Sequence, residues 1–100
     1  MNRTSKVQKE ILLRLINGVF KGVKRVKSTH LNAFVNRSLG KTIHPNNFRT
    51  SCEKLAEQGL IVRLKEDFDW YINLTPEGFD KASEWFEFIE PSEHQQDKEM

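Results

Sequence analysis

Residues 48 to 78, FRTSCEKLAEQGLIVRLKEDFDWYINLTPEG, change their period twice, and that change limits what the chain can fold into. Phe48, Cys52, Leu55 and Ala56 recur at i, i+4, i+7 and i+8, one face of a helix for which Pro45 suits the first position. Gly59 stops that helix, because glycine leaves it with positive φ at no steric cost. Leu60 to Lys65 and Trp70 to Leu74 are β-rich runs separated by Glu66, Asp67, Phe68 and Asp69, which predicts a hairpin with a four-residue loop. The alternation of Leu60, Val62 and Leu64 is expected to lay the first strand on the core. Thr75-Pro76-Glu77 then opens another helix, with a capping hydroxyl, a proline at its first position and an acid in its first turn.

Upstream, Val7, Ile11, Leu12, Leu15 and Ile16 predict a helix over residues 5 to 17, with Thr4 or Ser5 as cap and Gly18 as stop. Residues 19 to 27, VFKGVKRVK, read as a basic extended connector or short strand. Ser28 or Thr29 can cap a second helix whose inward stripe is Leu31, Phe34, Val35 and Leu39, ending near Gly40. One hundred residues suffice for one such core and not for two.

The order helix, short strand, helix, helix, hairpin, with KLAEQGLIVR, a hairpin and LTPEG over residues 54 to 78, resembles bacterial transcription regulators of the MarR and PadR types. The resemblance covers residues 5 to 80. It implies an α+β winged helix-turn-helix domain over residues 1 to 90: a three-helix core, a two-stranded wing and a C-terminal helix. It implies a bacterial or phage, cytoplasmic, nucleoid-associated protein that binds double-stranded DNA with helix 45–58 in the major groove. Repression is favoured over activation, since a bare domain blocks polymerase by occupying its site.

Charge agrees with a polyanionic partner. Residues 1 to 50 hold eleven Lys or Arg and one acid, whereas residues 51 to 100 hold five bases and thirteen acids. On the third helix, removing the core positions leaves Asn46, Asn47, Arg49 and Thr50 outward near its start, as candidate base readers. Asparagine pairs with N6 and N7 of adenine and arginine with O6 and N7 of guanine, so Asn47 and Arg49 lead that set. Phosphate contacts are expected from Lys21, Lys24, Arg25, Lys27, Arg37 and Lys41, with Arg63 and Lys65 on the first wing strand. The wing departs from a DNA-gripping pattern, because Glu66, Asp67 and Asp69 make its tip acidic, so a protein partner there is the alternative.

In EGFDKASEWFEFIE, Phe79, Ala82, Phe86 and Ile89 form one stripe, while Trp85 and Phe88 widen it to about half the helix by the rule of about 100° per residue. The width points to a homodimer through Trp85 and Phe88, or else to an aromatic folded over the flank of a small core. PSEHQQDKEM, residues 91 to 100, is polar and aperiodic and reads as a disordered tail.

His30, His44, His94 and Cys52 have no paired ligand spacing, so neither a metal nor another cofactor is expected. No phosphate cradle or nucleophile motif appears, and an enzyme is not expected. No run reaches the roughly 18 apolar residues of a membrane span, and a lone cysteine suits a reducing interior. Two alternatives remain beside the regulator: a winged-helix module that binds protein, and a replication or plasmid-maintenance factor with the same DNA chemistry.

Overall fold

Ser5 starts the first helix with a capping box: its hydroxyl accepts from the Gln8 N–H at 3.1 Å while the Gln8 side chain accepts from the Ser5 N–H. The computed structural model describes residues 4–86. Helix α1 spans Lys6–Phe20 and buries Ile11, Leu12, Leu15 and Ile16. It therefore runs through Gly18, where the sequence predicted its end. The residue that takes positive φ is Gly22, at 89°, and the Gly18 carbonyl accepts from Lys21 and Val23 to close the turn.

Strand β1, Arg25–Lys27, leads directly into α2, Ser28–Leu39, whose Gly40 cap has φ 68°. Neither Ser28 nor Thr29 caps α2; the cap position is Lys27, with no side-chain hydrogen bond. Leu31 and Val35 are buried as expected, but Phe34 stays 44% exposed, because i and i+4 already fill the inward stripe and i+3 lies at its edge. Between α2 and α3, Ile43 is buried and donates its N–H to the Asn36 side chain at 2.9 Å, which pins the turn of the helix-turn-helix.

Helix α3 spans Pro45–Glu57 and buries Phe48, Cys52 and Leu55. Gly59, at φ 80°, carries the chain into β2, Ile61–Glu66, which pairs antiparallel with β3, Asp69–Leu74. The sheet has three strands in the order β1-β3-β2. The hairpin turn is two residues, Asp67 and Phe68, rather than four, because Glu66 and Asp69 pair in the ladder and Asp67 takes the left-handed region at φ 59°.

The face assigned to β2 also differs from expectation. Ile61, not Val62 or Leu64, lies on the core, and those two are 51% and 47% exposed. Leu60 is buried, but it precedes the strand and bonds back to Leu55, so the alternation starts one residue later and every side chain changes face. The core face of the sheet therefore carries Val26, Ile72 and Leu74 with Ile61, Arg63, Lys65 and Trp70.

A last helix, α4, begins at residue 76 and is described to residue 86. Its start explains LTPEG atom by atom. The Thr75 N–H donates to the Leu60 carbonyl, its hydroxyl donates to the Gly59 carbonyl at 2.6 Å, and the same hydroxyl accepts from the Gly78 N–H at 3.0 Å. Phe79 and Phe86 then meet Phe20 at centroid distances of 5.8 and 5.1 Å, joining α4 to the end of α1. Phe88, the last residues of the expected domain up to residue 90 and the tail over residues 91–100 lie outside the described residues.

Candidate nucleic-acid interface

His44 positions the start of α3: its Nδ1 accepts from the Asn46 N–H at 3.1 Å, so the neutral ring carries its proton on Nε2. Pro45 follows at the first helical position, where no N–H is needed. The turn that results exposes Asn46, Asn47, Arg49 and Thr50 together. The Thr50 hydroxyl donates to the Asn46 carbonyl at 3.0 Å and keeps its lone pairs for a donor.

Arg49 and Asn46 face a groove of about 360 Å³ between α2, α3 and the wing. Arg63 and Trp70 enter it from β2 and β3, and Ser28, Thr29, Asn32 and Asn36 enter it from α2. The Arg63 guanidinium lies 4.5 Å from the Trp70 ring centre, with Lys65 at 5.9 Å, and reaches Glu53 of α3 at 3.8 Å. The groove thus presents two guanidiniums, four carboxamide or hydroxyl side chains from α2, and a half-exposed indole. Asn32 Oδ1 is buried there without a hydrogen-bond partner.

The eight phosphate candidates do not gather in one place. Arg63 lines the α3 groove, with Lys65 beside it on Trp70. Lys21, Arg25 and Lys27 line a second groove, between α1, β1 and α2, and Arg37 stands 5.7 Å from the Phe34 ring of that groove. Lys41 joins Lys6 and Lys9 at a third position, between α1 and the end of α2. Lys24 is exposed in the turn before β1.

The strand register separates two of these sets. Arg25 and Lys27 pair with Asn73 and Tyr71 on the outer face of the sheet, opposite Arg63 and Lys65. There they neutralise the wing tip: Arg25 meets Glu66 at 2.6 Å and lies 4.1 Å from the Tyr71 ring centre, and Lys27 meets Asp69 at 3.4 Å. Both ion pairs are solvent-exposed, so each contributes at most about 1 kcal/mol. Asp67 is left at the tip beside Phe68, which is 93% exposed.

Trp85 is half-buried against the chain's own core, with Lys9 of α1 and Lys81 over its ring at 5.2 and 5.8 Å. Sequence reasoning missed Trp70, Asn32 and Asn36 as lining residues. Period two placing Trp70 with Ile72 and Leu74 was the available signal for the first, and nothing marked the two asparagines.

Cys52 forms part of the groove floor, and burial pushes its thiol up to about 12, against a smaller opposing pull from Arg63. The folded chain holds this proton up to about pH 12, whereas the unfolded chain releases it near the ordinary 9.0. The stability it gives is therefore complete below pH 9.0 and is lost as pH rises above that value. We expect the urea midpoint to fall between pH 8 and pH 10 by more in the natural chain than in Cys52→Ala, and we expect thiol reagents to label Cys52 only on unfolding. Equal falls, or rapid labelling of the folded chain, would contradict this.

Among the described residues no group of His, Cys, Asp and Glu could hold a metal ion, and no helix is long and apolar enough to cross a membrane. No protein-family model matches the chain, and no curated protein is significantly similar to it in sequence. Solved structures are similar in fold. RosR of H. salinarum is 21% identical, with 84% of this chain and 72% of that chain covered, at a TM-score of 0.71. F93 from STIV, a winged-helix DNA-binding protein, is 16% identical over 87% of this chain and 91% of its own, at 0.65. A transcriptional regulator from Clostridium thermocellum is 19% identical over 92% and 87%, at 0.63. With α1, α2 and α3 as the helical core and β2-β3 as the wing, this chain has the winged helix-turn-helix fold.

Proposed function

We propose that the chain is a sequence-specific, double-stranded DNA-binding transcription regulator that inserts the start of α3 into the major groove. The observation that carries this reading is the shared groove: Arg49 and Asn46 of α3 stand with Arg63 of the wing and Ser28 and Thr29 of α2. Asn46, Asn47, Arg49 and Thr50 read base edges. Arg63 and Lys65 hold the neighbouring backbone, and the uncapped α2 start, with its free N–H groups and no acid in its first turn, suits a phosphate. Further phosphate contacts come from Lys24 and from those of Lys21, Arg25, Lys27, Arg37 and Lys41 that a duplex seated in the α3 groove can reach. The DNA-binding and regulatory descriptions of structural neighbours support the same reading.

Repression is favoured over activation, because a bound domain blocks polymerase merely by occupying its site. A homodimer through the C-terminal helix, with Trp85 and Phe88, would set two α3 helices about 34 Å apart on a pseudo-palindromic site. A second reading, a protein-binding module, rests on the exposed Phe68 at the wing tip and on Val62 and Leu64 beside it.

A salt titration of duplex binding separates the two. Each neutralised phosphate contributes about −0.9 to the slope of log affinity against log salt, so four or more contacts give about −4 or steeper. A slope near zero, or no duplex binding at low salt, contradicts the regulator reading and favours the protein partner.

A further inference from the structure

The groove between α1, β1 and α2 has a volume of about 390 Å³, and no acidic side chain lines it among the described residues. Lys21, Arg25, Lys27 and His30 stand on its rim, while Val23 and Phe34, 45% and 44% exposed, form an apolar wall. An apolar groove with a cationic rim is complementary to an anionic segment of chain. Arg25 and Lys27 already meet Glu66 and Asp69, but in exposed pairs that another carboxylate replaces at little cost.

The chain carries such a segment close by. Residues 90 to 100 hold Glu90, Glu93, Asp97 and Glu99 against the single base Lys98. The last described residue, Phe86, packs on Phe20, and the next residue after Phe20 is Lys21 of the groove rim. Fourteen residues follow Phe86, with a maximum reach of about 45 Å, so the acidic stretch can span the groove.

We propose that this groove is the docking site of the chain's own acidic C-terminal segment, residues 90–100, which occupies the rim cations in place of a polyanion. If the DNA reading holds, the segment competes with phosphates for Lys21, Arg25 and Lys27 and thins out non-specific binding. That consequence rests on the proposed function, whereas docking itself does not.

The test is a nitroxide attached to Gln95→Cys in the full-length chain, without DNA. Buried Cys52 is shielded from the reagent, so the label goes to position 95. At low salt the amide signals of Val23, Val26, His30 and Phe34 are expected to lose most of their intensity. They should regain it at about 1 M salt, where the screening length is about 3 Å. Lys21→Glu should weaken the loss. Docking is overturned by intact groove signals at low salt, or by losses centred on Asn46, Arg49 and Arg63 or on Lys6, Lys9 and Lys41. Losses of the same size when only an unlabelled-nitrogen copy carries the nitroxide would assign the groove to a second copy's tail and overturn docking within one chain.

Discussion

Gly78→Ala unfolds the domain at a temperature on the order of 15 °C lower than the natural chain, although alanine is the better helix former. A Cβ at this position would lie 1.9 Å from the Leu60 carbonyl oxygen and 3.0 Å from a Leu74 methyl. The oxygen cannot give way, because it belongs to backbone fixed by the Thr75 N–H and by the Gly59 turn. The start of α4 must therefore lift, which disrupts the three hydrogen bonds around Thr75 and opens the core beneath Ala82, fully buried, and Phe79. Overpacking of this kind costs about 3 kcal/mol or more, which outweighs the roughly 1 kcal/mol of helix propensity gained. For a domain of this size each kcal/mol moves the midpoint by about 4–8 °C. Thermal denaturation followed by circular dichroism measures it, with Glu84→Ala, at an exposed position of the same helix, as the silent control. A midpoint unchanged or raised in Gly78→Ala would mean that α4 does not seat on Leu60.

On the proposed reading, Arg49→Ala is expected to relax preference at one base pair while leaving the fold intact, because Arg49 is exposed and forms no ion pair among the described residues. A bidentate arginine discriminates its base pair by about 1–3 kcal/mol, roughly 5- to 150-fold in the ratio of cognate to non-cognate affinity. Lys24→Ala behaves differently: it weakens all duplexes alike and lowers the salt slope by about 1. Competition binding with cognate and scrambled duplexes distinguishes the two. Arg49→Ala with an unchanged ratio would remove Arg49 from the reading set.

The parts legible in the sequence were those where period and punctuation agreed. Phe48, Cys52 and Leu55 announced α3, Pro45 and Gly59 bounded it, and Thr75 and Pro76 marked the next helix, all as the structure has them. The errors share one cause. Gly18 carried a stop signal that the fold left unused because Gly22, four residues on, supplied the positive φ. Leu60 sits buried before the ladder begins, so counting the alternation from it inverted the face of β2. Each is a decision between nearby candidates that only tertiary contacts resolve.

For the candidate site, exposure was legible in the sequence and grouping less so. The four outward residues of α3 follow from helical geometry alone, and all four are exposed. The basic residues of the connector were read as one set, yet strand register sends Arg25 and Lys27 to the face opposite Arg63 and into pairs with the wing acids. Charge along a sequence does not say which side of a strand it will occupy. Two of the three wing acids, Glu66 and Asp69, are met by those same pairs, and Asp67, among the described residues, is not.

Selection of bound sequences from a random pool of duplex DNA, run in parallel with the natural chain and with Arg49→Ala, tests most directly whether the exposed start of α3 reads base edges. The natural chain should enrich a motif containing a guanine position, and the variant should lose preference at that position while keeping the rest. No enriched motif, or the same motif from both proteins, would contradict it.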